Sequence, residues 1–446
     1  MKRVGYLYEK ICDEETLQRA LNMAVQGKRN KPFAQKILKR RDALIAKLRD
    51  DLLNERFTPS ESERKTITEQ PKNKTREIAV PRLYPDHIVH WAVCIALNDV
   101  FLRGMYSHNV GCIPGRGCKA GINYIKRMLK ENKARYVLKL DIRKYFQHIN
   151  HDKLKELLRR KIKDRKALHL LDQIIDVGGE GLPIGFYTSQ WLSNFYLEAV
   201  DHYIKETLKI KYYVRNVDDM VLADTNKRKL HKARKALAEY LRKEGYGIEI
   251  KPDWQLWRIH TRPIDFLGYL FYKDKMLMRR KNFYRFTRRV QRVKKRGYCT
   301  ERGARQIAAG LGQLKNTPGG KHYYINHIKP IIAKREISKI ISAADKRRKE
   351  RTMIYKDGTN AKIESLKDRL GLTGDVYLVG QNYMENLESH KRLLPESTAT
   401  TIEEAEAERL AFMEAEREML AKLAAEAEAE AEKADKDDEK KEEETE

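Results

Sequence analysis

The alternation of apolar and polar positions divides the chain into a helical start, a mixed centre and a basic helical end. Over residues 1–55, Ile37, Leu38, Leu44, Ile45, Leu48 and Leu52 recur between charged residues at the spacing of one helical face, and Pro59 closes the region. A short basic strand is predicted at Lys74–Pro81, then an apolar helix over about Asp86–Phe101. The glycine-rich loop HNVGCIPGRGCKAG follows, from His108 to Gly121. Residues 136–275 hold most of the strand signals, with helices between them, among them Asp152–Lys161 and Lys227–Glu244. YVLKLDIRKYF (Tyr136 to Phe146) contains an apolar strand ending on Asp141. KYYVRNVDDMVLA (Lys211 to Ala223) predicts strand, turn and strand, with Asp218 and Asp219 at the tip. Strands and helices alternate without a dinucleotide fingerprint, which predicts an α+β fold.

The character changes at Arg279. The stretch RRKNFYRFTRRVQRVKKRG places Phe283, Phe286, Val290 and Val293 on one helical face, with Arg285, Arg288, Arg289, Arg292 and Lys295 around it. Its apolar stripe predicts docking on a core, and its arginine density predicts a nucleic-acid-facing surface. Two more helical stretches are predicted, about Thr300–Lys315 and His322–Lys349, separated by the turn TPGG. Residues 350–400 give weaker signals. The Ala/Glu-rich end reads as a solvated helix passing into a disordered acidic tail; its Leu410, Met413, Leu420 and Leu423 make too short a stripe for a coiled coil.

Charge sharpens this picture. The chain carries 92 Lys+Arg against 64 Asp+Glu, a formal net of +28. Residues 402–446 hold 19 acidic and 7 basic residues, a net of −12, which leaves +40 on residues 1–401. A polypeptide so basic attracts phosphate backbones whatever their sequence, although an RNA-coating protein would share the same balance. Five scattered cysteines (Cys12, Cys94, Cys112, Cys118, Cys299) offer no second pair to complete a zinc site, so reduced thiols are expected. The start lacks an apolar signal core and no run of about 18 apolar residues occurs, so cytoplasmic residence without a membrane span is expected.

Two adjacent carboxylates repel each other, and a divalent cation is the usual compensation, since Mg²⁺ is held by one or two carboxylates plus substrate phosphates. Asp141, 77 positions before Asp218, supplies a third acid at a strand end. With the glycine-rich segment GLPIGFYTSQ (Gly181 to Gln190) between them, the three suggest a two-metal phosphoryl-transfer site. Asp141 and Asp218 are the candidate ligands, with Asp219 assisting.

This order of motifs resembles the fingers and palm of a reverse transcriptase over about residues 70–275, extending loosely into a thumb to about residue 345. The resemblance implies a right-hand polymerase fold divided into a helical N-terminal extension (1–58), fingers and palm (59–278), a basic helical thumb (279–349), an appendix (350–401) and an acidic tail (402–446). It implies catalysis by two Mg²⁺, with Mn²⁺ as an alternative, at Asp141, Asp218 and Asp219. The implied partners are an RNA template, a DNA or RNA primer and deoxynucleoside triphosphates; the tail's charge could add a basic accessory protein. LDIRKYFQHINHDKL resembles the first catalytic block, in which Phe146 would gate the sugar against a 2′-hydroxyl; the plainer reading is a core aromatic. Lys74 and Arg76 match the fingers cations that clamp the triphosphate, and Arg116 in the glycine-rich loop would meet template or phosphate.

Three departures from the family pattern matter. Asn216 stands where an aromatic usually precedes the acid pair. In GLPIGFYTSQWLSNFYLEAVD, Ile184 and Ser189-Gln190 replace a Gln and a Ser-Pro, a variant that looks like the reverse transcriptases of diversity-generating retroelements, with Ile184 and Gly185 at the nucleotide and Gln190 at the template. In that group the apolar residue accompanies error-prone copying of template adenines. In GIEIKPDWQLW, Lys251 remains while Asp253 and Trp254 stand at expected lysines, which leaves the usual general acid for pyrophosphate in question. IDFLGYLFY (Ile264 to Tyr272) resembles the primer-grip hairpin, with Gly268 at its bend. A retron-like or antiphage reverse transcriptase, or a maturase-like RNA-binding scaffold, is the alternative.

Overall fold

The computed structural model describes residues 3–29, 31–69 and 74–354; side chains at 69, 74 and 348–354 lie outside that description. The expected appendix beyond Ile354 and the acidic tail also fall outside it. The chain divides into two compact units, residues 1–346 and 347–446.

Helices α1 (Leu7–Cys12), α2 (Glu14–Ala24), α3 (Pro32–Lys39) and α4 (Arg41–Leu53) open the first unit. The apolar stripe read across residues 37–52 is split between α3 and α4, because Arg40 leaves helical geometry at φ −112°. Strands β1 (Glu63–Glu69) and β2 (Lys74–Val80) form an antiparallel hairpin with Arg76 opposite Ile67. The predicted apolar helix becomes α5 (Ile88–Ala96) and α6 (Asn98–Arg103), parted at Leu97, and α7 (Cys118–Glu131) closes the glycine-rich loop.

The palm follows. Strand β3 (Tyr136–Leu140) leads to α8 (His151–Lys161), α9 (Arg165–Asp176), α10 (Tyr187–Tyr196) and α11 (Glu198–His202), then β4 (Tyr212–Asn216), β5 (Asp219–Asp224), α12 (Lys227–Lys243) and β6 (Gln255–Arg258). The four strands make an antiparallel sheet in the order β4-β5-β3-β6. Side-chain caps start the helices where the sequence supplies them: Asn150 accepts from Lys153 N and Asn226 from Arg228 N. Asp164 caps α9 and also accepts from Leu7 N and Tyr8 N at 2.7 and 2.8 Å, tying the chain's start to the palm.

Because strand side chains alternate, the sheet is buried on both faces. Leu138, Leu140, Tyr213, Met220 and Leu222 join a large core shared with α1–α5 and α8–α12. Val137, Tyr212, Val214, Val221 and Ala223 face a second core. That core includes a small sheet of β7 (Ile264–Phe266), β8 (Tyr269–Phe271) and β9 (Met276–Met278), and the helices α13 (Arg280–Arg296), α14 (Glu301–Leu314), α15 (Gly320–Tyr323) and α16 (Lys334–Ile354). The single helix expected over His322–Lys349 is two, since Pro330 lies in the break before α16 and cannot donate a helical hydrogen bond. The α+β, right-hand arrangement of fingers, palm and helical thumb is present. Among the described residues no helix is long and apolar enough to cross a membrane.

Histidines inside the large core give it a pH limit. His90 is 3% exposed, and its Nδ1 meets Thr188 Oγ1 at 2.8 Å. Burial pushes its pKa down to about 3, with help from neighbouring His87. His87 is itself lowered to about 4, by burial and then by the charge of Lys28. Both are neutral when folded but accept protons once unfolded, so their contribution is present above pH 6.5 and lost as pH falls toward about 4. At pH 5 the loss should be about 2 kcal/mol for each histidine. Denaturant midpoints at pH 7.5 and pH 5 should therefore differ more for the wild type than for His90→Gln; equal differences would remove His90 from this account.

Candidate active site

Asp141 directly follows β3, and Leu140 pairs with Met220, so Asp141 comes level with Asp219 at the same end of the sheet. The β4–β5 connection departs from the sequence expectation. Asn216 pairs with Asp219, so the two-residue turn is Val217-Asp218, and Asp219 is the first residue of the returning strand rather than part of the tip. Val217 takes φ +59°, a left-handed conformation that β-branched residues avoid. Arg215 holds it there, donating from Nη1 to the Val217 carbonyl at 3.0 Å. Gly111 lies so close to the Val217 backbone that a Cβ would meet its nitrogen at 2.5 Å.

Beneath the turn runs a polar network that sequence reasoning missed. Arg215 is 0% exposed and grips Asp201 through Nε at 2.8 Å and Nη2 at 2.6 Å. It also donates to the Asn194 side-chain oxygen at 3.2 Å, while Tyr213 Oη donates to Asp201 at 2.6 Å. Asn194 Nδ2 in turn donates to the Gly111 carbonyl at 2.8 Å. Burial works against the charge of Arg215, but Asp201 outweighs it and the guanidinium stays cationic. The available signal was positional: one arginine inside the otherwise buried strand YYVRN cannot be solvated surface charge.

Like charges crowd the three acids. Asp219 is pushed up to about 6 by burial and by Asp141 and Asp218, against the pull of Lys139. Asp218 is raised by burial and then by Asp141, opposed by Lys251 and Arg76. Lys139 Nζ stands 3.5 Å from Asp219 Oδ2, and Lys251 Nζ 2.5 Å from Asp141 Oδ1. The Lys251 main chain is pinned as well, its N–H donating to the Asp141 carbonyl at 2.8 Å. Asp219 Oδ1 is buried without a hydrogen-bond partner, an orphaned acceptor of the kind a cation satisfies. Among the described residues no three His, Cys, Asp or Glu side chains enclose a metal point by themselves. Such a set suits Mg²⁺, which completes its shell with water and substrate phosphate.

The fingers hairpin bears on the same region. Ala79 N–H donates to the Ile184 carbonyl at 2.8 Å. Gly185 adopts φ +123°, and any Cβ there would overlap the Ala79 carbonyl, so the glycine is what lets the GLPIG turn lie against β2. Lys74 opens β2, with its side chain outside the described residues, and Arg76 extends its field to Asp218. Phe146 is half-buried, and its carbonyl accepts from Leu182 N at 2.7 Å. Ile184 and Gln190 are half-buried, Gln190 within α10.

The remaining candidates lie on other elements. Arg116 is half-buried, and its Nη1 donates to the Tyr106 carbonyl at 3.0 Å. Leu267 and Gly268 form the tight β7–β8 turn with φ +52° and +82°, as IDFLGYLFY predicts, and Arg279 N donates to the Gly268 carbonyl at 2.9 Å. On α13, Phe286 and Val290 are buried as expected, Arg288 and Arg292 exposed, and Arg285 and Arg289 half-buried. Burial, then the charges of Arg285, Arg292 and Arg302, lower the pKa of Arg289, which marks a dense patch of positive charge.

Comparison with known proteins agrees with this geometry. Residues 71–271 match the family described as reverse transcriptase (RNA-dependent DNA polymerase). The chain is 31% identical over 172 residues to Protein YkfC of Escherichia coli, covering 36% of this chain and 45% of that protein. It is 28% identical over 178 residues to the group II intron-encoded protein LtrA of Lactococcus lactis, covering 38% of this chain and 29% of LtrA. The chain thus spans less than half the length of these curated relatives. A solved telomerase structure from Candida albicans aligns over 65% of this chain and 58% of its own at 12% identity, with a TM-score of only 0.39.

Proposed function

We propose that this protein is an RNA-directed DNA polymerase that copies an RNA template into cDNA by two-metal-ion nucleotidyl transfer. The observation that carries the reading is the convergence of Asp141, Asp218 and Asp219 at one end of the palm sheet, with an orphaned carboxylate oxygen and Lys139, Lys251 and Arg76 around them. Bound Mg²⁺, or Mn²⁺ in its place, would supply the charge that aligns a primer 3′-hydroxyl with the α-phosphate and stabilises the leaving pyrophosphate.

Asp141, Asp218 and Asp219 would hold the ions, and Lys251, paired with Asp141 in their absence, neutralises part of the acid cluster. Lys74 and Arg76 take the triphosphate, Phe146 screens the sugar, and Ile184 with Gly185 floors the base. Arg116 and Gln190 meet the template, the Gly268 turn the primer end, and Arg285, Arg288, Arg289 and Arg292 the duplex backbone. The working division of the chain is the one stated above, and its setting is the cytoplasm.

The subtype proposed is a diversity-generating retroelement, supported by Ile184 and Ser189-Gln190. An Ile cannot hydrogen-bond a template or incoming base as Gln can, so selection there rests on shape alone. Ile184→Gln should lower misincorporation opposite template adenine by about tenfold, the worth of one modest polar discrimination. Sequencing cDNA from a mixed RNA template reads this directly; an unchanged error spectrum would detach Ile184 from fidelity. Likeness to LtrA favours a second reading, an intron-encoded protein that also binds its RNA. If Asp218→Ala/Asp219→Ala left biological function intact, that scaffold reading would prevail.

A further inference from the structure

Away from the acid cluster, a groove of about 440 Å³ opens between the β8–β9 hairpin, the first turns of α13 and the Thr317–Gly320 turn. Tyr272, Leu277, Arg280, Phe283, Tyr284 and Tyr323 line it, and no lining residue is acidic. It presents apolar surface to solvent: Leu277 is 40% and Tyr284 48% exposed. Its rings are mutually braced, with Phe283 edge-on to Tyr323 at 5.1 Å and Tyr323 against His327 at 4.6 Å. Cations attend them. Lys275 Nζ lies 5.6 Å over the Tyr272 ring, and the Arg280 guanidinium lies 5.3 Å over Tyr284 while its Nε donates to Tyr284 Oη at 3.1 Å. From Leu270 to Tyr284 the sequence holds Lys273, Lys275, Arg279, Arg280 and Lys281 against Asp274 alone.

The groove is separate from the arginine surface of the same helix. At about 100° per residue, Arg280, Phe283 and Tyr284 share one flank of α13. Arg285, Arg289 and Arg292 fall on the other, Phe286 and Val290 turn into the core between them, and exposed Arg288 lies on the solvent side between the two flanks. A duplex held by Arg285, Arg289 and Arg292 would leave the aromatic flank free.

We infer that this groove is a second nucleic-acid site, one that takes the bases of an unpaired strand. Aromatic faces stack any base, and the cations around them meet its phosphates, which is how single strands are bound without sequence preference. The absence of lining carboxylates and the excess of local positive charge favour this polyanion over a protein segment as the occupant. An unpaired stretch of the template RNA could then remain attached while its paired stretch occupies the cleft.

The test uses the full chain and fluorescein-labelled 12-mers of oligo(U) and oligo(dT), followed by anisotropy with and without a saturating blunt template–primer duplex. Binding that persists beside the duplex is expected. Tyr284→Ala/Leu277→Ser should weaken it about tenfold or more, the worth of a lost base stack, while duplex affinity and extension of a pre-annealed primer stay unchanged. Arg280→Ala should reduce the slope of log affinity against log salt by about 0.7, one phosphate contact on a single strand. Oligo(U) and oligo(dT) binding alike would identify stacking and phosphate as the whole of the recognition; oligo(U) binding alone would add the 2′-hydroxyl. Unchanged 12-mer affinity in a variant with wild-type thermal stability would overturn the proposal and return the groove to a protein partner. Full displacement by the duplex would overturn it too. Failure of the polymerase reading would be seen separately, as absent primer extension beside intact 12-mer binding.

Discussion

Asp219→Asn is expected to lower cDNA synthesis by about 10³-fold or more, and also to raise the protein's thermal midpoint when no divalent cation is present. The two effects share one cause. Asp219 is held up to about 6 by burial and by its two acidic neighbours. A carboxyl raised in this way contributes stability below its unfolded value of 3.8, and loses it as pH rises through about 6. At pH 8 the folded chain therefore carries an unfavourable charge, and neutralising it should return on the order of 1–3 kcal/mol. Lys139 loses its ion-pair partner in the variant, which keeps the gain toward the lower end. Mg²⁺ should raise the midpoint of the wild type and leave that of Asp219→Asn nearly unmoved. Differential scanning fluorimetry across a Mg²⁺ titration checks this without any activity assay. Equal cation-induced shifts in both proteins would remove Asp219 from the metal site.

The second large effect is expected at Arg215, which touches no substrate. Arg215→Met strands the Asp201 carboxylate in the core, and breaking a buried pair from one side costs about 3–5 kcal/mol. Asp201→Asn/Arg215→Met removes both charges and should recover much of that stability, because a buried pair contributes little over neutral side chains of similar volume. Activity should not recover. The double variant still lacks the donor to the Val217 carbonyl, so nothing holds that residue at φ +59° or fixes the Asp218 turn beside it. A displacement of about 1 Å in the turn is enough to cost about 10²-fold in rate. Urea melts beside primer-extension rates separate the two quantities. Recovery of both in the double variant would show that Arg215 serves packing alone.

The parts of the site visible in sequence are those whose signal is local. Asp141 stands at the end of an apolar strand, and the acid pair lies between two strand patterns, so their convergence required only that the strands pair. The Leu267-Gly268 bend was legible because glycine readily takes positive φ. The turn at Val217 was not, since a β-branched residue predicts against a left-handed conformation that only Arg215, Asp201 and Gly111 together enforce. Arg215 itself was hidden among 92 cations until burial singled it out. Helix boundaries were blurred where one apolar stripe continued across a break, as at Arg40 and Leu97; at Pro330 the break had a visible cause. The aromatic groove was illegible for another reason. Its rings come from Tyr272, from Phe283 and Tyr284, and from Tyr323, on elements that meet only through tertiary packing.

Primer extension on an RNA template, with Mg²⁺, all four deoxynucleoside triphosphates and the Asp219→Asn protein as control, tests the central claim most directly. Full-length cDNA, dependent on the cation, is expected from the wild type, and about 10³-fold less or lower still from the variant. Cation-dependent cDNA at equal yield from both proteins, or none from a wild type supplied with its own RNA and any accessory protein, would contradict it.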